Sequence, residues 1–286
     1  MSMITSVENN SYLSVPDPLA CLPARAGESG GLYRYHPSWT VFGEPYTSLA
    51  DLAYLGKPTL RSVNSANSYK ITHRSSGSTF AYLSVKNGRT QTGESHYELQ
   101  WAQELEVDPN YVDYQLHGME VNWKRGDHTA RYTPDAVALT VDAKVEGHEV
   151  KATRSYFQMG TYSKLIDKVD RDLASYGIAF RKVTGEDIEA NRRRHHNITT
   201  AFQERFTHFS LRQEDAVRNL LERNPEQSFA RVLEAIDREG RRARPIVSAM
   251  LCRRKLAYDL NQQITSETVI RSVDPVASCP PDIRAL

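Results

Sequence analysis

Hydrophobic and polar positions change period along the chain, and each change marks an element. Phe80-Ala81-Tyr82-Leu83-Ser84-Val85 reads as a strand closed by a turn at Asn87-Gly88. Glu98, Trp101, Ala102 and Leu105 then fall at helical spacing, predicting a helix from near Gly93-Glu94-Ser95 to about Glu106. Asp108-Pro109-Asn110 ends it, because proline disfavours helix in the residue before it. Three strands are expected next, over Tyr111 to Leu116, Met119 to Lys124 and Ala130 to Thr133, with turns at Gly118 and Arg125-Gly126-Asp127. A further pair, Val137 to Val141 and His148 to Ala152, gives a helix followed by a meander.

Tyr162, Ile166, Val169, Leu173 and Tyr176 share one helical face, and Gly177 follows where a left-handed glycine closes a helix. With a strand over Ile178 to Thr184, this is the pattern of a parallel crossover completing a mixed sheet. Beyond about residue 190 the chain turns helical and arginine-rich. Ser210 with Gln213, and Asn224 with Pro225 and Gln227, read as helix starts, and Pro245 opens a third helix. A hairpin over Leu256 to Leu260 and Thr268 to Val273 would complete a winged helix-turn-helix. The first 60 residues are broken by Pro16, Pro18, Pro23, Gly30, Gly31 and Pro37, yet carry Tyr33, Tyr35, Trp39, Phe42 and Tyr46, the mark of an ordered arm. The resulting organisation is an N-terminal extension (1–61), a mixed-sheet domain (62–190) and a mainly helical C-terminal domain (191–286).

Composition adds limits. With 40% hydrophobic and 25% charged residues, the chain belongs to the folded soluble class. A formal charge of +1 identifies no partner, so electrostatic claims rest on where the basic residues lie. Cys21, Cys252 and Cys279 have no metal-ligand spacing, which fits a reduced cytoplasm and speaks against zinc. No apolar run reaches the roughly 18 to 20 residues needed to span a bilayer, and the acidic Glu8 and Asp17 do not fit a secretion signal. The expectation is a cytoplasmic protein without membrane attachment.

Pro134-Asp135 is followed fourteen residues after the aspartate by Glu149-Val150-Lys151. On a strand, Glu149 and Lys151 share a face about 7 Å apart while Val150 points the other way. Clustered carboxylates suit Mg2+, which takes oxygen ligands, and phosphodiester hydrolysis needs a positioned water with charge neutralisation at phosphorus. Asp135 and Glu149 are therefore candidate ligands, and Lys151 a candidate to orient water or stabilise the transition state. Glu98 lies in line with an apolar helix face, where a charge requires a metal or a basic partner. Singly, Pro-Asp is a common turn start, Glu-Val-Lys an ordinary strand tripeptide and Glu98 a salt-bridge former; their ordered occurrence points to chemistry.

Other polar residues read as structural or solvated: Asp142 and Glu146 in the turn between the motif strands and His148 facing away from Glu149, while His195 and His196, in an arginine-rich connector, read as solvated or phosphate-contacting and not as metal ligands. Glu94 can complement the helix start, and Ser95 can cap it or touch substrate. No Gly-rich phosphate loop, nucleophile elbow or Cys/His pairing occurs.

Glu94-Ser95-His96-Tyr97-Glu98 leading to Asp108-Pro109, then Tyr114-Gln115, Arg131-Tyr132-Thr133-Pro134-Asp135 and Glu149-Val150-Lys151, with a later echo over Phe180 to Ile188, resembles the TnsA endonuclease subunit of heteromeric bacterial transposases. The resemblance runs from about Ser62 to Asp274. It implies a restriction-endonuclease-like mixed sheet flanked by helices, with metal ligands at Glu98, Asp135 and Glu149, the lysine at Lys151, and Mg2+ (or Mn2+) as cofactor. Gln115-Leu116 stands where many members have Gln-Pro, and Glu149 where some have Gln, marking a divergent member. The resemblance further implies double-stranded DNA as substrate, a TnsB-like transposase cutting the other strand, a TnsC-like ATPase regulator, and a C-terminal winged helix engaging partner and DNA. There, Arg241, Arg242, Arg244, Arg253, Arg254 and Lys255 form the densest basic cluster, open to two readings: phosphate contacts or solvated helix charges. A stand-alone restriction, repair or phage-defence nuclease, or a non-catalytic DNA-binding assembly module, shares the same fold and stays open at this point.

Overall fold

The computed structural model describes residues 40–41, 44–45, 57–62, 79–125, 128–237 and 242–276. Most of the expected N-terminal arm, with its five aromatics, lies outside them, as do Cys21, Arg241 and Cys279. In chain order the first elements are β1 (Thr40–Val41), β2 (Glu44–Pro45), β3 (Thr59–Ser62), β4 (Phe80–Leu83), β5 (Thr90–Gly93), α1 (His96–Val107), β6 (Tyr111–Leu116), β7 (Met119–Arg125) and β8 (His128–Tyr132). There follow β9 (Ala136–Thr140), β10 (Val145–Lys151), a 3-10 turn (Arg154–Gln158), α2 (Gly160–Ala174), β11 (Ala179–Thr184), α3 (Gly185–Ala190) and α4 (Arg192–Gln203). The chain continues through α5 (Leu211–Arg223), β12 (Glu226–Ser228), α6 (Phe229–Ile236), α7 (Ala243–Cys252) and β13 (Val269–Arg271).

This is a mixed α/β structure, divided into two compact units: Met1–Arg61 with Glu120–Thr133, and Ser62–Met119 with Pro134–Leu286. In the first unit β1 pairs antiparallel with β2, and β7 and β8 form a hairpin in a sheet of order β3-β7-β8.

The second unit holds a four-stranded sheet of order β11-β10-β9-β6. The expected meander is therefore corrected: β6 pairs directly with β9, Leu116 opposite Ala136, and the two intervening strands join a different sheet. The reason lies in β9, where Ala136, Val137, Ala138 and Leu139 are all buried. A strand apolar on both faces needs neighbours on both edges and cover on both sides. β10 runs antiparallel to β9 and parallel to β11, the expected crossover through α2. Gly177, just past α2, has φ +73°, a conformation open to glycine at little cost.

Two helices cover the sheet. On α1, Trp101, Ala102 and Leu105 join Tyr114, Leu116, Ala136, Ala138, Val150 and Val183 in one apolar cluster. Ser95 caps this helix, its hydroxyl accepting from the Glu98 N–H at 3.1 Å. At the other end Lys86 Nζ donates to the carbonyls of Leu105, Asp108 and Tyr111 at 2.7–2.8 Å. Burial pushes its pKa down to about 8, against the pull of Glu106 and Asp108. Tyr162, Ile166, Val169 and Leu173 of α2 are buried, and Gly147 of β10 lies under Leu173. Alternation along β10 thus gives Val150 to the α1 side and Gly147, Glu149 and Lys151 to the α2 side.

A second cluster gathers Ile198 and Phe202 of α4, Val217 and Leu221 of α5, Phe229 and Val232 of α6, and Ile246, Met250 and Leu251 of α7. Ser210 and Gln213 form the expected capping box on α5. Two C-terminal expectations are corrected. Asn224 ends α5 instead of starting a helix, β12 intervenes, and Ser228 caps α6. Leu256–Leu260 is no strand: β13 pairs with β12, and only Ala257 bridges to Arg271. Phe229 and Ile270 are buried in the second cluster, so closing that core favours the β12–β13 pairing over a local hairpin. Among the described residues, no helix is long and apolar enough to cross a membrane.

Candidate active site

The second unit brings the motif residues to one end of the sheet. His148 of β10 pairs with Ala136 of β9, so Asp135 and Glu149 are the next residues outward on neighbouring strands. Asp135 Oδ2 accepts the Val150 N–H at 2.7 Å, which ties the aspartate to the strand carrying the other two groups. Lys151 Nζ lies 2.7 Å from Glu149 Oε1 and 3.5 Å from Asp135 Oδ2, and donates to the Val150 carbonyl at 3.0 Å. The side chains of Glu149, Asp135 and Lys151 are only 2%, 15% and 16% exposed, so their charges are weakly screened by water.

Glu98 reaches the site from the first turn of α1. Its carboxylate accepts the Glu94 N–H at 3.1 Å and stands 3.5 Å from Nε2 of buried His117. His117 follows β6, and its backbone N–H donates to the Asp135 carbonyl at 3.0 Å. Its φ is +51°, in the left-handed region, where a residue other than glycine is strained by about 1–2 kcal/mol. From the far side, the hydroxyl of buried Tyr162 on α2 donates to Glu149 Oε1 at 2.6 Å, and Lys151 Nζ lies 5.9 Å from the centre of the Tyr162 ring.

The electrostatics show crowded negative charge. Burial, then repulsion from Glu149, pushes the Asp135 carboxyl up to about 7, although Lys151 pulls it down. Burial alone would lower Lys151, but Asp135 and Glu149 outweigh it and hold the ammonium above its ordinary range. Burial likewise raises the Tyr162 phenol, reinforced by Glu149. Burial works against charge on both Glu98 and His117, yet their mutual contact prevails, lowering the carboxyl and raising the imidazole.

Three carboxylates thus face one ammonium and one imidazole. Glu149 Oε1, the Val150 carbonyl and Asp135 Oδ2 all lie within 3.5 Å of Lys151 Nζ, an oxygen-rich spot already attractive to positive charge. Among the described residues no group of three acidic, histidine or cysteine side chains stands ready to hold a metal ion. Lys151 sits between Asp135 and Glu149, and His117 contacts Glu98. The donor set itself is carboxylate and carbonyl oxygen with surplus negative charge, which suits a hard divalent cation.

The other sequence candidates lie elsewhere. His148 faces α1, accepting from Trp101 Nε1 at 3.1 Å with its Nε2 3.0 Å from Glu146 Oε2. Glu146, expected as a solvated turn residue, is instead within β10 and also meets Arg181 at 3.4 Å. The turn closes earlier, where Thr140 N–H donates to the Lys144 carbonyl and Ala143 takes φ +60°. Asp142 is exposed as expected. His195 and His196 lie on α4.

The described members of the basic set, Arg242, Arg244, Arg253, Arg254 and Lys255, divide between the two ends of one helix. Arg242 and Arg244 are exposed at the start of α7, while Arg253, Arg254 and Lys255 follow its end, about 15 Å along the axis. Arg253 donates to the Ala249 carbonyl, Arg254 to those of Pro109 and Asp274, and Lys255 pairs with Glu214 at 2.7 Å.

Sequence reasoning missed His117 and the polar role of Tyr162. Tyr162 was legible as an apolar-face residue, but helical period does not reveal its hydroxyl's partner. His117 carried no signal beyond its place before the turn glycine. The chain matches no protein-family model, and no curated protein matches it.

Proposed function

We propose that the chain is a divalent-metal-dependent DNA endonuclease that hydrolyses phosphodiester bonds at transposon ends, as the TnsA-like subunit of a heteromeric transposase. The observation that carries the chemistry is the placement of Lys151 between Asp135 and Glu149 on neighbouring strands, with Glu98 joined to them through His117. A mixed sheet flanked by α1 and α2 is the architecture that the resemblance implies, and it supports a restriction-endonuclease-like reading. The order α5, β12, α6, α7, a bridge at Ala257 and β13 supports a winged-helix-like reading of the C-terminal part. The transposition role and its partners, a TnsB-like transposase and a TnsC-like ATPase, rest on the motif order from Glu98 to Lys151.

In this reading Asp135 and Glu149, with Glu98 alongside, would hold Mg2+ or Mn2+, which would supply Lewis-acid charge at the scissile phosphate and make a bound water more acidic. Asp135 is fixed by the Val150 N–H, and Glu149 by the Tyr162 hydroxyl, so both carboxylates are oriented before substrate arrives. Lys151 keeps its proton at Nζ because two carboxylates flank it. That fixed ammonium stabilises negative charge developing on the phosphate oxygens or orients the attacking water. The burial of the three groups limits bulk water and strengthens each interaction.

The test is nicking of end-containing DNA by the purified full chain, with Mg2+ and with its transposase partner. Asp135→Ala, Glu149→Ala and Lys151→Ala are each expected to lower the rate by at least about a hundredfold, the scale of losing one charge-stabilising group. If all three cut like the parent, the site is misassigned. If the folded parent fails to cut with every divalent metal and partner tried, the chain is a scaffold and not a nuclease.

A further inference from the structure

Resting on the nuclease reading, we propose that His117 is a positioning residue that holds the helix-borne Glu98 and the strand-borne Asp135 in register with each other. Its two halves contact the two acids separately. The backbone N–H donates to the Asp135 carbonyl at 3.0 Å, and Nε2 of the ring stands 3.5 Å from Glu98 Oε2. Glu98 lies in the first turn of α1 and Asp135 precedes β9, elements that approach only through tertiary packing. His117 spans the junction between them.

Two further observations separate this role from simple turn-filling. The ring is buried, its side chain 4% exposed, and its Nε2 is turned to the Glu98 carboxylate, itself 12% exposed. The backbone at His117 is left-handed at φ +51°, a conformation that glycine adopts without a Cβ penalty. A turn needing only shape is better served by glycine, so the imidazole has to be explained by what it touches. Outliers of this kind concentrate where the surroundings over-determine a functional geometry. The charges acting on the imidazole come from Glu98, Asp135 and Glu94, all acidic.

The experiment compares the parent full chain with His117→Gly and His117→Gln. Glycine removes the ring while relaxing the backbone, whereas glutamine restores a nitrogen donor near the Nε2 position. Thermal melting, Mn2+ affinity by calorimetry and nicking under saturating DNA are measured on each. We expect the glycine variant to melt no lower than the parent, to bind Mn2+ about tenfold or more weakly and to nick more slowly by a similar factor, the usual effect of losing a group that orients a ligand. Glutamine should recover part of both losses.

A folded glycine variant that binds Mn2+ and nicks like the parent overturns the proposal and leaves the nuclease reading intact. Loss of folding in both variants also overturns it, since the role is then structural. A folded parent that neither binds Mn2+ nor nicks defeats the nuclease reading, and the assignment of His117 falls with it.

Discussion

Replacing Asp135 with asparagine should make the metal-free protein more stable while removing activity. In the fold, burial and then Glu149 push this carboxyl from its ordinary 3.8 up to about 7, even with Lys151 opposing them. Each pH unit of displacement corresponds to about 1.4 kcal/mol, so keeping Asp135 ionised at neutral to alkaline pH costs on the order of 4 kcal/mol. The sign follows from proton binding. Between about pH 4 and about pH 7 the folded state holds the proton and the unfolded state has lost it, so stability falls as pH rises through that window. Asparagine has the shape of the protonated carboxyl and keeps an oxygen to accept the Val150 N–H. Urea denaturation in EDTA should therefore show the variant ahead by up to roughly 4 kcal/mol at about pH 8, with the gap closing toward about pH 4. Mg2+ should stabilise the parent and narrow the gap, because a ligand that binds only the folded state adds to its stability. An advantage that is absent at about pH 8, or that does not shrink on acidification, refutes the assignment of a charge-strained Asp135.

Three further outcomes test other parts of the molecule. Tyr162→Phe should retain the fold and lose about tenfold in nicking rate, because Glu149 loses its 2.6 Å hydroxyl donor; an unchanged rate with unchanged Mn2+ affinity removes Tyr162 from the site. Arg194→Ala should lower stability by about 3–5 kcal/mol in urea, since Arg194 Nη2 is 2.8 Å from Glu104 and 2.6 Å from Asp108, which are 6% and 10% exposed and would be left buried without that cation. Leu105→Ala, at a fully buried position where α1 packs on the sheet, should cost about 2–5 kcal/mol by the same measurement.

At boundaries of three helices the local signals and the structure agree. Ser95 and the Asp108-Pro109 stop bound α1, Gly177 follows α2 in its left-handed conformation, and the Ser210–Gln213 box starts α5. Each depends on residues a few positions apart, so periodicity and capping chemistry suffice. Elements held by partners from elsewhere escaped. Thr90-Gln91-Thr92-Gly93 has no apolar alternation, yet forms β5 because Phe80–Leu83 pairs along it. The cap-like Asn224-Pro225 is overridden because β12 pairs with β13 far along the chain.

The candidate site divides in the same way. The sequence by itself singled out the candidate groups, Asp135, Glu149 and Lys151 in two short motifs and Glu98 on an apolar helix face. Alternation on β10 alone sends Glu149 and Lys151 to one side and His148 and Val150 to the other. Only tertiary structure decided that Lys151 lies between the two strand carboxylates, that Tyr162 grips Glu149, and that a strained His117 links Glu98 to Asp135. Those contacts join β6, β9, β10, α1 and α2. Local propensity sets the direction of a side chain along its own element, whereas the charge it meets across the fold depends on how separate elements pack to bury their apolar faces.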